Sequence, residues 1–284
     1  MTVIAAACIQ LRSGKDISEN SARAEDLIRA AAGDGATYIQ TPEMSNVLVR
    51  SREELIARID VLDRDIFVSM ARRVAAELRL FLHVGSVAVL LDGGRAANRA
   101  VLIAPNGEIV ETYDKIHMFD VDLPDGESWR ESSTYRPGAQ VPVIDLPFGK
   151  LGMAICYDIR FPALFRAQSR LGAEILSAPA AFTRQTGQAH WHVLQRARAI
   201  ENGAYVISAA QGGLHEDGRE TFGHSLIVDP WGGVVAELDN DSPGHLVAEI
   251  DLTKVARARA RIPAIVNERN FDCRMSQAFR EEPA

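Results

Sequence analysis

Lys150-Leu151-Gly152-Met153-Ala154-Ile155-Cys156-Tyr157-Asp158 is an apolar run that ends on a thiol and a carboxylate, and its neighbours decide the fold. A helix is expected from Pro162 to Leu171, a strand over Ala173 to Ala178, a helix over Gln188 to Asn202 and a strand over Ala204 to Gln211. Toward the N-terminus the alternation repeats: strand Val3 to Gln10, helix Ala22 to Ala32 closed by Gly33, strand Thr37 to Gln40, helix Asp63 to Leu78 and strand Phe81 to Leu91. Strands Arg99 to Ala104 and Glu108 to Tyr113 flank Pro105-Asn106-Gly107, and Asn-Gly between apolar runs predicts a hairpin. A second hairpin turns at Pro230-Trp231-Gly232-Gly233, ahead of strand His245 to Ile250 and a last helix. Hairpins mixed with βα units predict two packed sheets covered by helices. With no solenoid repeat and no Pro- or Ser-rich linker, residues 1–284 read as one domain.

The chain has 284 residues, 47% of them hydrophobic, enough for a substantial core. A formal charge of -7 argues against nucleic acid, which requires clustered Lys and Arg, and Arg257 to Arg261 reads as a solvated helix end. Asp, Glu, Arg or Gly interrupts every apolar run before the roughly 20 residues that span a bilayer, so no membrane partner is expected. Residues Met1 to Cys8 pass directly into Gln10 and Arg12 and read as a first strand, not a signal peptide. Cys8, Cys156 and Cys273 are too few and too scattered for a disulfide framework, and a cytoplasmic location is expected.

Three stretches carry chemistry: Thr41-Pro42-Glu43, Tyr113-Asp114-Lys115-Ile116-His117 and the run ending in Cys156. They supply an acid/base, a cation and a thiol, the combination that activates a sulfur nucleophile. Each follows a strand-like run, so all three are expected to project from one rim of a sheet. The long stretch Met118 to Pro142 is expected to be irregular and to form a wall of the pocket. Thr183-Arg184-Gln185-Thr186-Gly187 reads as a polar strand-to-helix turn on the same rim, and Arg184 is the candidate for holding a substrate carboxylate. A metal is not expected: His190 and His192 lie two apart on a helix, and no Cys or carboxylate set accompanies them, His215 or His224. The Gly-Gly pairs lack phosphate-loop spacing, and no cofactor is implied.

These motifs, with Ala189-His190-Trp191, Arg196 to Glu201 and His224 to Gly232, resemble the carbon-nitrogen hydrolases of the nitrilase superfamily over nearly the whole chain. Lys115 to Asp120 and Cys156 to Pro162 are similar to the amidase branch containing ω-amidase and deaminated-glutathione amidase. Nitrilases typically follow the nucleophile with Trp-Glu, whereas Tyr157-Asp158 stands here and favours an amide. One departure lies in the tail, where Asn267-Glu268-Arg269-Asn270 replaces a His-Arg-Arg run.

The resemblance implies a four-layer αββα sandwich, a homodimer or larger assembly, and a Glu43, Lys115, Cys156 triad. Cys156 would attack the amide, Glu43 would serve as base and then acid with its pKa raised, and Lys115 with the backbone N–H of Tyr157 would hold the oxyanion. Glu131 corresponds to a second glutamate beside the triad. The expected substrate is a small carboxylate-bearing amide of the deaminated glutathione or 2-oxoglutaramate type. The alternatives are an N-carbamoyl hydrolase or nitrilase with the same triad, and a non-catalytic binding scaffold.

Overall fold

The first strand sets the layering. In the computed structural model, which describes residues 3–122, 126 and 128–276, strand β1 (Val3–Gln10) turns Ala7 and Ile9 toward one core and Ile4, Ala6 and Cys8 toward another. Period-two alternation of apolar side chains on both faces is what a strand buried between two layers requires.

In chain order there follow α1 (Ile17–Gly33), β2 (Tyr38–Gln40), α2 (Arg52–Ile56), α3 (Ile66–Leu78), β3 (Phe81–Leu90), β4 (Ala96–Ile103) and β5 (Ile109–Asp114). A short hairpin, β6 (Asp120–Asp122) with β7 (Ser128–Arg130), precedes β8 (Val143–Leu146), β9 (Gly149–Gly152), α4 (Pro162–Arg170) and β10 (Ile175–Ser177). The chain continues through α5 (Arg184–Asn202), β11 (Tyr205–Ser208), β12 (Gly212–Leu214), β13 (Glu220–Phe222), β14 (Leu226–Val228), β15 (Val234–Glu237), β16 (Gly244–Asp251) and α6 (Thr253–Arg261).

Two six-stranded sheets result, ordered β16-β1-β2-β3-β4-β5 and β15-β14-β11-β10-β9-β8. In the first, β2 runs parallel to both β1 and β3; in the second, β10 runs parallel to both β9 and β11. Helices α1 and α3 cover the outer face of the first sheet, through Ala24, Ile28, Phe67, Ala71 and Val74. The inner face of that sheet joins the second sheet in one core, which extends to Phe165 of α4 and Trp191 and Ala199 of α5. This is the four-layer αββα sandwich that the resemblance implies.

Helix starts follow their caps. Asp16 accepts from the N–H of Glu19 and so begins α1 ahead of the expected Ala22. Asp65 accepts from the N–H of Val68 and starts α3 after a separate single turn over Leu62–Arg64. The stretch Met118 to Pro142 is less irregular than expected, since it folds back as β6 and β7. Asp125 and Glu127 lie outside the described residues. Among the described residues no helix is long and apolar enough to cross a membrane.

A bulge in β3 prepares the site. Its register on β4 shifts between Val84 and Val87, which turns Ser86 toward the segment after β2. The N–H of Ser86 donates to Pro42 O at 3.1 Å, the N–H of Ser45 donates to Ser86 O at 2.8 Å, and the N–H of Met44 donates to Ser86 Oγ at 2.9 Å. Glu43 is therefore clamped from both sides. A Cβ on Gly85 would lie 2.0 Å from Thr41 O and 2.6 Å from Pro179 Cβ, so only glycine permits this approach. Gly85→Ala is expected to lose about 1–3 kcal/mol of stability through overpacking, a fall of roughly 2–10 °C in Tm, and to lower turnover by displacing Glu43. Thermal unfolding and turnover of the variant test this; a variant matching wild type in both would show that the clamp does not position Glu43.

Candidate active site

Glu43, Lys115 and Cys156 each stand just beyond the C-terminal end of a strand, β2, β5 and β9 respectively. They do not share one sheet rim. Glu43 and Lys115 come from the first sheet and Cys156 from the second, so the site forms between the strand ends of the two sheets. Open α/β folds place ligands at such carboxyl ends.

Lys115 is the hub. Its buried Nζ donates to Glu43 Oε1 at 2.9 Å and to Glu131 Oε1 and Oε2 at 3.0 and 2.9 Å. Asn98 Nδ2 donates to Glu43 Oε1 at 2.9 Å and to Glu131 Oε1 at 3.3 Å. The N–H of Ala181, beyond β10, donates to Glu43 Oε2 at 2.9 Å, and the N–H of Phe119 donates to Glu131 Oε2 at 2.6 Å. The Cys156 thiol lies close enough to Glu43 for each to shift the other's pKa. Glu131, inferred only from resemblance, thus reaches the same ammonium as Glu43.

Cys156 opens a single turn of 3-10 helix, Cys156–Arg160, with φ of 48°, a conformation rare outside glycine. Such backbone strain is stored at functional turns when surrounding contacts enforce it, at about 1–3 kcal/mol. The contacts are present: the N–H of Cys156 donates to Pro179 O at 2.8 Å. Asp158, fully buried, accepts from the N–H of Ile155 at 2.9 Å, the hydroxyl of Tyr113 at 2.7 Å and the N–H of His117 at 3.1 Å. One carboxylate therefore ties the Cys156 turn to the segment that carries Lys115.

A cavity of about 600 Å³ opens over these groups. Phe119, Trp129, Glu131, Tyr135, Tyr157 and Phe182 line it, so the stretch after Lys115 does form a wall. Tyr157 packs its ring edge-on against Phe119 and Phe161, with centroids 5.1 and 5.3 Å away. Arg184 is not brought into the cavity. Thr183 caps α5, which starts four residues earlier than expected, and the Arg184 side chain is exposed, ion-paired with Glu220 and 3.8 Å from Asp241. The arginines among the residues that line the cavity are Arg50, Arg52, Arg130, Arg160 and Arg219.

The expectation of a raised Glu43 pKa is overturned. Burial pushes it up, but the Lys115 charge and the hydrogen bonds from Cys156, Lys115 and Asn98 together outweigh burial and hold the carboxyl below its ordinary value. Burial also works against the Lys115 charge, yet Glu131 and Glu43 keep its pKa well above the usual lysine value. Burial and then the Glu43 charge push the Cys156 thiol well above its usual value, with Lys115 opposing. The resting site therefore holds a carboxylate, an ammonium and a neutral thiol.

Sequence reasoning missed Asn98 and the bracing role of Asp158. The signal for Asn98 was a lone amide in an apolar strand, but that strand was expected to begin at Arg99 rather than Ala96. Exclusion of a metal on His190 and His192 overlooked a different grouping, because folding places His192 beside His224 and Glu237.

A layered sandwich with a buried thiol, ammonium and two carboxylates at one end defines a hydrolase of carbon-nitrogen bonds. The chain belongs to the carbon-nitrogen hydrolase family, whose profile matches residues 5–260. It is 40% identical over 264 residues to the deaminated glutathione amidase of Synechocystis sp. (strain PCC 6803 / GT-S), covering 92% of this chain and 96% of that one. The crystal structure of the C. elegans NitFhit protein superposes with a TM-score of 0.88 at 34% identity, over 95% of this chain and 66% of that longer one. An amidase from Nesterenkonia sp. AN1, solved as a Glu-to-Gln mutant with acrylamide added to its active-site cysteine, gives a TM-score of 0.76 at 25% identity over 92% of this chain and 98% of that one. The protein is accordingly a carbon-nitrogen hydrolase of the amidase kind.

The shifted groups make a pH prediction. Glu43 binds its proton more weakly folded than unfolded, so its contribution to stability is present above the ordinary value of 4.5 and lost as pH falls through the lower folded value. Lys115 is the reverse, its contribution present below 10.5 and lost as pH climbs through its raised folded value. The ultraviolet difference spectrum between wild type and Cys156→Ser should show no thiolate band at neutral pH and gain one only above the ordinary thiol value of 9.0. A band already developed at neutral pH would contradict the neutral-thiol site.

Proposed function

We propose that this amidase hydrolyses a small carboxylate-bearing amide through a thioester on Cys156. The observation that carries the reading is the buried grouping of the Cys156 thiol, Lys115 and the Glu43 and Glu131 carboxylates in one cavity. As Sγ bonds to the amide carbon, Glu43 takes the thiol proton, and the carbonyl becomes an oxyanion facing Lys115 and the N–H of Tyr157. Glu43 then passes that proton to the leaving nitrogen as the C–N bond breaks, releasing ammonia. Water attacks the thioester with Glu43 again as base, the C–S bond breaks, and the carboxylic acid departs as the thiol regains a proton. Glu131 keeps Lys115 charged and aimed. The lowered pKa leaves Glu43 ionised at rest and so open to the thiol proton, and loss of the Cys156 contribution as that proton is transferred favours its acid form.

The charge of the cavity supports an acidic amide. Glu43 and Glu131 are paired with Lys115, and arginines outnumber carboxylates on the walls, although Arg130 and Arg219 are themselves paired with Asp122 and Asp217. Deaminated glutathione, named for the Synechocystis relative, carries the carboxylates that such walls would attract. Arg160 replaces Arg184 as the candidate for carboxylate capture: it lies four residues beyond Cys156, and its guanidinium sits 5.3 Å over the Phe182 ring. Its polar contact, at 3.2 Å, is His190 Nδ1, not a carboxylate. The same proposal includes a homodimer or larger assembly, supported by the exposed apolar side chains of Val193 and Ile200 on α5 and of Trp231.

Ammonia release measured over a panel of acidic and neutral amides tests this reading. Wild type should prefer the acidic members. Arg160→Ala should raise KM for those by about 10- to 100-fold, as loss of a charged pair costs ~2 kcal/mol or more, and change KM for neutral ones little. Arg184→Ala should leave both unchanged. Preference for neutral amides, a nitrile or an N-carbamoyl compound would overturn the substrate class.

A further inference from the structure

Outside the amidase cavity, three elements aim nitrogen and oxygen donors at one point. His192 on α5, His224 just before β14 and Glu237 at the end of β15 place their ligand atoms within 4.8 Å of one another. His192 Nε2 lies 2.6 Å and His224 Nδ1 3.0 Å from the same oxygen, Glu237 Oε1. None of the three lines the amidase cavity. All are partly exposed, so an ion has access.

The grouping is held in place from outside. Phe222 stacks on the His224 ring at 4.2 Å and 21°, and its edge meets the His192 ring at 6.0 Å and 90°. Trp191 Nε1 donates to His224 O at 2.8 Å, and the N–H of His224 donates to Asn240 O at 3.1 Å. These bonds fix His224 at φ of 57°, a left-handed conformation that His adopts more readily than most side chains. Preorganised donors on rigid elements are what an ion site needs.

We infer that His192 Nε2, His224 Nδ1 and a Glu237 carboxylate oxygen form a binding site for a divalent transition-metal cation of the zinc class. Two imidazoles and one carboxylate are the donor set that zinc and its neighbours take, with water completing the coordination; calcium and magnesium prefer oxygen alone. Without metal, each imidazole directs an N–H at Glu237. On binding, each proton moves to the other ring nitrogen, Nδ1 of His192 and Nε2 of His224, and the freed lone pairs face the ion. No bond is made or broken elsewhere, and no electron is transferred. Because the ligands come from α5 and from the edge pair β14 and β15, the ion would clamp helix to sheet and stabilise the folded chain by mass action.

Zinc titration of chelator-stripped protein, followed by calorimetry and thermal unfolding, tests the site. The Cys156→Ala background, with the exposed Cys273 also changed to serine, removes the cavity thiol and the surface thiol that would compete for zinc. In that background one saturable equivalent per chain and a zinc-dependent rise in Tm are expected. Adding His192→Ala or Glu237→Gln should weaken binding by at least about tenfold and abolish the rise. Cobalt should give visible ligand-field bands that His192→Ala removes. Absence of zinc binding in that background, or unchanged affinity in both ligand variants, would overturn the inference.

Discussion

One buried ammonium organises this protein. Lys115 stands between two carboxylates, Glu43 and Glu131, at hydrogen-bond distance from both. Charges removed from water are tolerated only when paired and fully hydrogen-bonded, and deleting one partner of such a pair typically costs about 3–5 kcal/mol. Here the remaining oxygen sites are filled by Asn98, Ala181 and Phe119, which draw in β4, the segment after β10 and the start of the wall hairpin. The charge cluster is thus a structural joint between the sheets as well as a chemical site. Burial, and then the Glu43 charge, keep the Cys156 thiol protonated.

The joint is rigid because its approaches are over-determined. Gly85 allows the β3 bulge to press against Thr41, Asp158 ties Tyr113 and His117 to the Cys156 turn, and Pro179 O anchors the strained residue itself. Each contact joins segments far apart in sequence. The strain at Cys156 persists because the neighbouring strands leave the turn no relaxed alternative.

Much of this was legible in the chain. The strand Val3–Gln10 coincides with its expected limits, and the helices and hairpins around Cys156 fall within a few residues, because burial on one or both faces prints a period into the sequence. Glu43, Lys115 and Cys156 were readable as motif ends. What periodicity could not reveal was which sheet each would leave from, since sheet order depends on contacts between distant strands. Arg184 was misplaced because its helix starts earlier than its apolar spacing implies: Thr183 supplies a cap that the pattern does not encode. The Glu43 pKa was expected in the wrong direction for a related reason. Burial alone raises it, and only the folded chain shows that Lys115, Cys156 and Asn98 all converge on that carboxylate. His224, just before β14, and Glu237, at the end of β15, approach α5 only in three dimensions, so their meeting with His192 left no sequence signature.

In the mechanism proposed, Cys156 carries the acyl group between ammonia release and hydrolysis. Acid quenching of enzyme turning over an acidic amide, followed by peptide mass spectrometry, tests it directly. An adduct on the Cys156 peptide equal to the substrate mass less ammonia is expected, labile to hydroxylamine as a thioester is. An adduct on another residue, or full turnover by a protein whose Cys156 has been replaced with alanine, would contradict it.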